Sequence, residues 1–244
     1  MNHELRLEIL KSKMEKELFY KILKAEQNYP NLFSSFEERD WGCLFFNEDN
    51  KGSFDSNSAV ITADEVTDEI LAEIDAFYNE KNLTPRYKHI NEHYFAKEKE
   101  KKKDFCLMVQ QGEVYIISNN RLKIKILEEY DEKITQNILL GSQKEYFRRV
   151  LMDSMKNENY KLAVGYLFDE PVTMAGMWFS PYGVTRIDSV QTGIFFRSCG
   201  FAREVVKFSV EYIKSQTENP IYLLTDNTTA ERIYKQAGFV EINV

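Results

Sequence analysis

Apolar side chains at Leu7, Leu10, Met14, Leu18, Ile22 and Ala25 recur every three or four residues. That spacing predicts an amphipathic helix over residues 3–28, stopped by Tyr29-Pro30-Asn31. The period then changes. Trp41-Gly42-Cys43-Leu44-Phe45-Phe46 and Ala59-Val60-Ile61, separated by the polar turn Asn47 to Gly52, read as two strands. Thr62-Ala63-Asp64-Glu65 opens a second helix with Ile70, Leu71, Ile74, Phe77 and Tyr78 inward, interrupted at Thr84-Pro85. Residues 86–90 suit a strand. The charged run Ala96 to Lys103 makes 91–104 a solvated helix. Phe105 to Val109 and Val114 to Ser118 flank Gln110-Gln111-Gly112-Glu113 and predict a hairpin.

Asn119-Asn120 is the expected boundary, giving domains at 1–119 and 120–244. Leu122 to Leu127 alternates strictly, as a half-buried strand does. Residues 142–157 carry Phe147, Val150, Leu151, Met152 and Met155 at helical spacing. Lys161 to Phe168 and Val172 to Phe179 are strands around Asp169-Glu170-Pro171. Next come an alternating segment, Ile187 to Thr192, the turn Arg197-Ser198-Cys199-Gly200-Phe201-Ala202, and a helix with the packing stripe Ala202, Val205, Val206, Ser209, Val210 and Ile213. The apolar run Ile221 to Leu224 precedes Asn227-Thr228-Thr229-Ala230, Tyr234 and Gly238-Phe239. Strand, glycine turn, helix, strand and helix make a βαβα unit. The unpaired amides and dipole of its first helix suit a phosphate group.

Two spacings in this unit carry a resemblance. Arg197-x-x-Gly200-x-Ala202 is similar to the pyrophosphate loop of the GNAT superfamily of acyl-CoA-dependent N-acyltransferases, and Asn227-x-x-Ala230-x-x-x-Tyr234-x-x-x-Gly238-Phe239 resembles its C-terminal asparagine and tyrosine motif. The likeness is clear over about the last 60 residues, extends back to about residue 120, and fades before that. It implies an α/β protein with the GNAT fold, a mixed, mostly antiparallel sheet flanked by helices. The first half has a comparable rhythm without the signatures, so a degenerate GNAT-like copy is expected there.

The resemblance also implies roles. Acetyl-CoA would be the co-substrate, its diphosphate wrapped by the amides of Arg197, Ser198, Cys199, Gly200, Phe201 and Ala202. Val190, Gln191 and Thr192 would run beside the pantetheine arm as in strand addition. The Val190 amide would face the thioester carbonyl as an oxyanion donor. Tyr234, a phenol with an ordinary pKa near ~10, would protonate the leaving thiolate; core packing explains it at shorter odds if the motif is set aside. Asn227 would bind pantetheine, cap its helix, or both. Asp188, two residues before Val190 and so on its strand face, is a candidate general base or a partner for Arg186. The acceptor would be a small-molecule or peptide amine.

Composition narrows the setting. A 43% hydrophobic and 14% aromatic chain can fill a substantial core, and 39 acidic against 32 basic side chains argue against a nucleic-acid partner. Cys43, Cys106 and Cys199 make neither a disulfide framework nor a metal set, which fits a reducing cytoplasm. No signal-peptide core and no membrane-length run is visible; self-association is left open. His89 and His93 share a helical spacing but have no third ligand, so no metal is expected. Cys199 lacks a neighbouring histidine. Trp178, Phe179 and Tyr182 suit an acceptor pocket or the core equally, and Trp41, Phe45 and Phe46 suit the first core. The rival to an enzyme is a catalytically weak or inactive acyl-CoA-binding or sensing module; a cofactor-free interaction scaffold is the third reading.

Overall fold

The computed structural model describes residues 3–89, 95–98, 101–118, 121–139 and 141–242. Helix α1 (His3–Asn28) leads through a 3-10 turn at Tyr29–Leu32 into the first sheet. That sheet consists of β1 (Ser35–Arg39), β2 (Gly42–Phe46), β3 (Ser58–Ile61), β4 (Tyr87–His89), β5 (Phe95–Glu98) and β6 (Lys101–Asp104), in that spatial order among the described residues. Helix α2 (Asp68–Glu80) crosses between β3 and β4, which pair in parallel while the other neighbours run antiparallel. The Thr67 side chain caps it by accepting from the Ile70 amide. Ile74 and Tyr78 of α2 pack on Leu44, Ala59 and Ile61 of this sheet.

The second sheet takes β7 (Cys106–Gln110), β8 (Lys123–Leu127), β9 (Tyr160–Leu167), β10 (Glu170–Phe179), β11 (Thr185–Thr192), β12 (Ile221–Thr225) and β13 (Phe239–Glu241), in the order β13-β7-β12-β11-β10-β9-β8. Helices α3 (Lys133–Asn137) and α4 (Lys144–Ser154) lie on one face, α5 (Phe201–Gln216) and α6 (Thr228–Gln236) on the other. The alternation of buried residues along β9 and β10 explains both layers. Leu162, Val164, Met174 and Trp178 face α1, α3 and α4; Ala163, Ala175 and Met177 face α5 and α6. Each leucine, valine or methionine among them withdrawn from water contributes about 1.5–3 kcal/mol. Here too one pair is parallel, β11 with β12 across α5. The β3-α2-β4 unit of the six-stranded first sheet thus repeats the pattern of β11-α5-β12 in the seven-stranded second.

Three expectations change. The sheets divide between Asp104 and Cys106 rather than at Asn119-Asn120: β7 inserts between β12 and β13, and α1 packs on the second sheet through Ile22, Ala25 and Tyr29. The helix expected over 91–104 is, where described, an antiparallel pair of strands that continues the sheet from β4. An open strand edge gains ladder hydrogen bonds from a segment that helix propensity would otherwise claim. The hairpin expected around Gly112 does not form, because both edges of β7 are already taken. Instead the amides of Gln111 and Gly112 donate to the Gly238 carbonyl, and that of Tyr115 to Gln236. This close approach needs glycine at 238, where φ is +80° and a Cβ would lie 2.5 Å from the Gly112 oxygen. A smaller shift concerns the β9–β10 turn, which centres on Phe168 and Asp169, both at positive φ, one step before the expected position.

Candidate functional site

The site begins where a parallel pair stops. β11 and β12 are matched only at Thr185 with Ile221 and Arg186 with Tyr222, although β11 continues to Thr192 and β12 to Thr225. Beyond that point they diverge. On its other side β11 bulges against β10: the register jumps between Met174 and Gly176, and Ser189 sits at φ +51°. The bulge reverses the alternation. Val190 therefore packs toward α5 and α6 with Ile187, while Asp188 turns to the opposite face. The expectation that Asp188 and Val190 share a face is corrected by this extra residue.

After β11 the chain makes a tight loop. Gly193 donates to the Val172 carbonyl at 3.0 Å, a 3-10 turn follows at Ile194–Phe196, and the loop enters α5. Ser198 at φ +60° and Gly200 at φ +85° are left-handed residues two apart, a conformation that curls backbone N–H groups into a concavity. Gly200 is the N-cap of α5 and offers no side-chain cap, so the helix's first amides rely on another acceptor. A Cβ at Gly200 would meet Arg203 Nη2 at 3.1 Å. Two arginines brace the loop: Arg197 Nε donates to the Thr192 carbonyl at 3.4 Å, and Arg121 Nη2 to the Cys199 carbonyl at 2.7 Å. The Arg121 guanidinium also lies 5.0 Å from the centre of the Phe201 ring.

A cleft of about 740 Å3 runs from this loop between the diverging end of β11 and helix α6, which follows β12. It is lined by Val190, Gln191, Thr192, Arg197, Ser198, Gly200, Phe201, Ala202, Asn227 and Tyr234, so ten of the twelve residues singled out from sequence come together. Cys199 presents its carbonyl to Arg121, and Asp188 lies behind the sheet. Sequence reasoning missed Arg203 and Arg232, which with Arg197 give the lining three cations and, among the described residues, no carboxylate. In a chain of net charge −7 this is a local reversal of sign that favours a polyanion. Arg203 and Arg232 lie on the polar sides of α5 and α6, where the only sequence signal is an arginine opposite an apolar stripe.

Asn227 caps α6, its Oδ1 accepting from the amides of Thr229 and Ala230 at 3.0 and 3.2 Å. Seven residues on, Tyr234 is 7% exposed and borders the cleft from the same helix. Burial first, and the charge of Asp188 second, push its phenol up to about 12. It is the neutral, proton-bearing form at physiological pH. Asp188 accepts from Tyr160 at 2.9 Å and from Tyr29 at 2.8 Å. Burial, reinforced by that carboxylate, holds both phenols well above their ordinary range.

The remaining sequence candidates are placed elsewhere. His89 Nε2 lies 2.8 Å from the Ala63 carbonyl, and His93 falls outside the described residues. Trp178 packs against Tyr29 in the core, and Phe179 against Tyr212. Tyr182 borders a separate 370 Å3 pocket between α1 and the first sheet. Among the described residues no helix is long and apolar enough to cross a membrane.

Residues 163–244 match the model of a family described as FR47-like protein. Among solved structures the chain is similar to a GCN5-related N-acetyltransferase from Kribbella flavida, at 11% identity and a TM-score of 0.62, with 90% of each chain covered. It is also similar to a functionally unknown conserved protein from Staphylococcus epidermidis, at 13% identity and a TM-score of 0.57, covering 86% of this chain and 90% of that one. At such identities the likeness is one of fold. No curated protein sequence matches the chain.

Proposed function

On the premise that this chain has the fold of the GCN5-related N-acetyltransferases (GNAT), we propose that it transfers an acetyl group from acetyl-CoA to a primary amine. The observation that carries the reading is the fork, two neighbouring strands unpaired beyond Arg186 and Tyr222 directly above an amide-lined loop. The loop from Arg197 to Ala202 holds the diphosphate with backbone N–H groups, and Arg197, Arg203 and Arg232 supply positive charge. The unpaired edge of β11 at Val190–Thr192 offers ladder groups to the amides of the pantetheine arm. Acetyl-CoA supplies a thioester, an acyl group already activated toward amines.

The reaction forms a C–N bond and breaks a C–S bond. An amine that has lost its extra proton to water attacks the carbonyl carbon. The Val190 amide donates to the oxygen as negative charge gathers there. The sulfur leaves with the electron pair and takes the phenol proton of Tyr234, while the surplus proton on the new C–N nitrogen passes through water to restore the phenol, giving free thiol and an N-acetyl product. Asp188 acts in this scheme through its charge, since its oxygens already accept from two phenols. That occupancy also favours the second reading, a module that binds acyl-CoA without turning it over.

A screen of acetyl-CoA consumption against diverse small amines and peptides separates the two. Turnover is expected in the wild type, and Tyr234→Phe should lower kcat by ~10²–10⁴ with CoA affinity unchanged. CoA binding without turnover across the panel would leave the sensing module. No thermal shift on adding CoA, against the ~2.7 kcal/mol expected at 100 times Kd, would sink both.

A further inference from the structure

The last matched pair of β11 and β12 is held by a residue from far away in sequence. Glu26, on α1 and 4% exposed, accepts from Arg186 Nη1 with both carboxylate oxygens at 2.7 Å and from the Tyr222 hydroxyl at 2.8 Å. Arg186 and Tyr222 are the two residues across which the strands stop pairing. The same guanidinium lies 3.8 Å from the centre of the Tyr29 ring, and its Nε is 3.9 Å from Asp188 Oδ2. Tyr29 and Tyr160 close the circle by donating to Asp188, the residue just before the bulge at Ser189. One carboxylate from the first half thus binds both arms of the fork at its crotch, and a second anchors the arm that bends away.

Two parallel strands would ordinarily go on pairing, because unpaired backbone groups between them cost free energy. Something must fix where pairing ends. A buried carboxylate bridging the final pair does so with charge-assisted bonds of defined length and direction. We propose that Glu26 is a positioning residue which sets the origin and opening of the fork, so that the first half controls the width of the cleft in the second. The functional half of this inference rests on the acetyl-CoA reading; the structural half does not.

The test uses the full chain and two readouts. Glu26→Gln keeps the volume and removes the charge. Hydrogen exchange should rise at least tenfold at the amides of Ile187–Thr192 and Leu223–Thr225 while β9 and β10 stay protected, and CoA should bind at least fivefold more weakly. Exchange that is unaltered, or that rises equally in β9 and β10, would make Glu26 a general stabilising contact and overturn the proposal. If Glu26→Gln does not fold by circular dichroism, Tyr222→Phe carries the same comparison, with a threefold selective rise expected and the same contrary outcomes. A wild type that binds no CoA would sink the acyl-transfer reading alone, leaving the exchange pattern to judge the clamp.

Discussion

Asp188 and Tyr234 lie on opposite sides of one sheet and still feel each other, since the carboxylate is the second cause, after burial, of the phenol's rise to about 12. The sign of the consequence is fixed. In the proposed mechanism the proton-bearing phenol is the working form, so the alkaline loss of kcat assigned to Tyr234 should fall near pH 12, and the profile below pH 10 should be flat with respect to it. Asp188→Asn removes a negative charge, lowers the phenol's pKa and moves that alkaline limb to lower pH. A pH–kcat profile checks this; a limb that stays or moves upward contradicts the coupling. The spacing of Arg197, Gly200, Asn227 and Tyr234 was legible because each serves a local need: a brace, a left-handed turn, a cap, a helix face. The orientation of Asp188 was not, since the bulge places a serine at positive φ, a residue type that carries no mark of it. Glu26 was equally silent, because an acid in an amphipathic helix is ordinarily solvated.

Among the elements, the loop before α5 bears most directly on the proposed function. Gly200→Ala puts a Cβ at φ +85° and 3.1 Å from Arg203 Nη2. A left-handed alanine costs about 1–2 kcal/mol, and the methyl group intrudes where amides should meet phosphate. The expected result is a melting temperature lower by several degrees and CoA affinity weakened tenfold or more. Calorimetric titration and thermal unfolding check both, and unchanged affinity would move the diphosphate elsewhere. Helices α4, α5 and α6 could be read from periodicity because each has one buried face, and β9 and β10 from continuous apolar runs, since both of their faces are covered. β5 and β6 could not, because their charged sequence suits a solvated helix and only the waiting edge of β4 decides otherwise. The fork has no periodicity at all: an absence of pairing between two ordinary strands leaves no trace in either.

The two halves interlock more than their lengths suggest. β7 lies between β12 and β13, and α1 supplies Ile22, Ala25, Glu26 and Tyr29 to the second sheet. A fragment of residues 120–244 would lose the strand between two others and expose their edges. It should be aggregated or without cooperative unfolding, whereas a fragment containing the missing pieces, expressed separately, should rescue it; a soluble 120–244 with a sharp melting transition would refute the interlock. In the first half, β3 and β4 pair across Ala59 to Ile61 up to the end of β3, and α2 starts with its own threonine cap followed by Asp68 and Glu69. Among the described residues, a closed seam and an acidic, already capped helix start leave no counterpart of the second half's cleft. The central place of β7 has a last consequence, in biosynthesis. Val109 emerges from the ribosome well before its neighbour Tyr222 exists, a delay on the order of ten seconds at ~5–20 residues per second. For that interval Cys106-Leu107-Met108-Val109 is an apolar segment with both sides open, and a chaperone that recognises such stretches would find its target there.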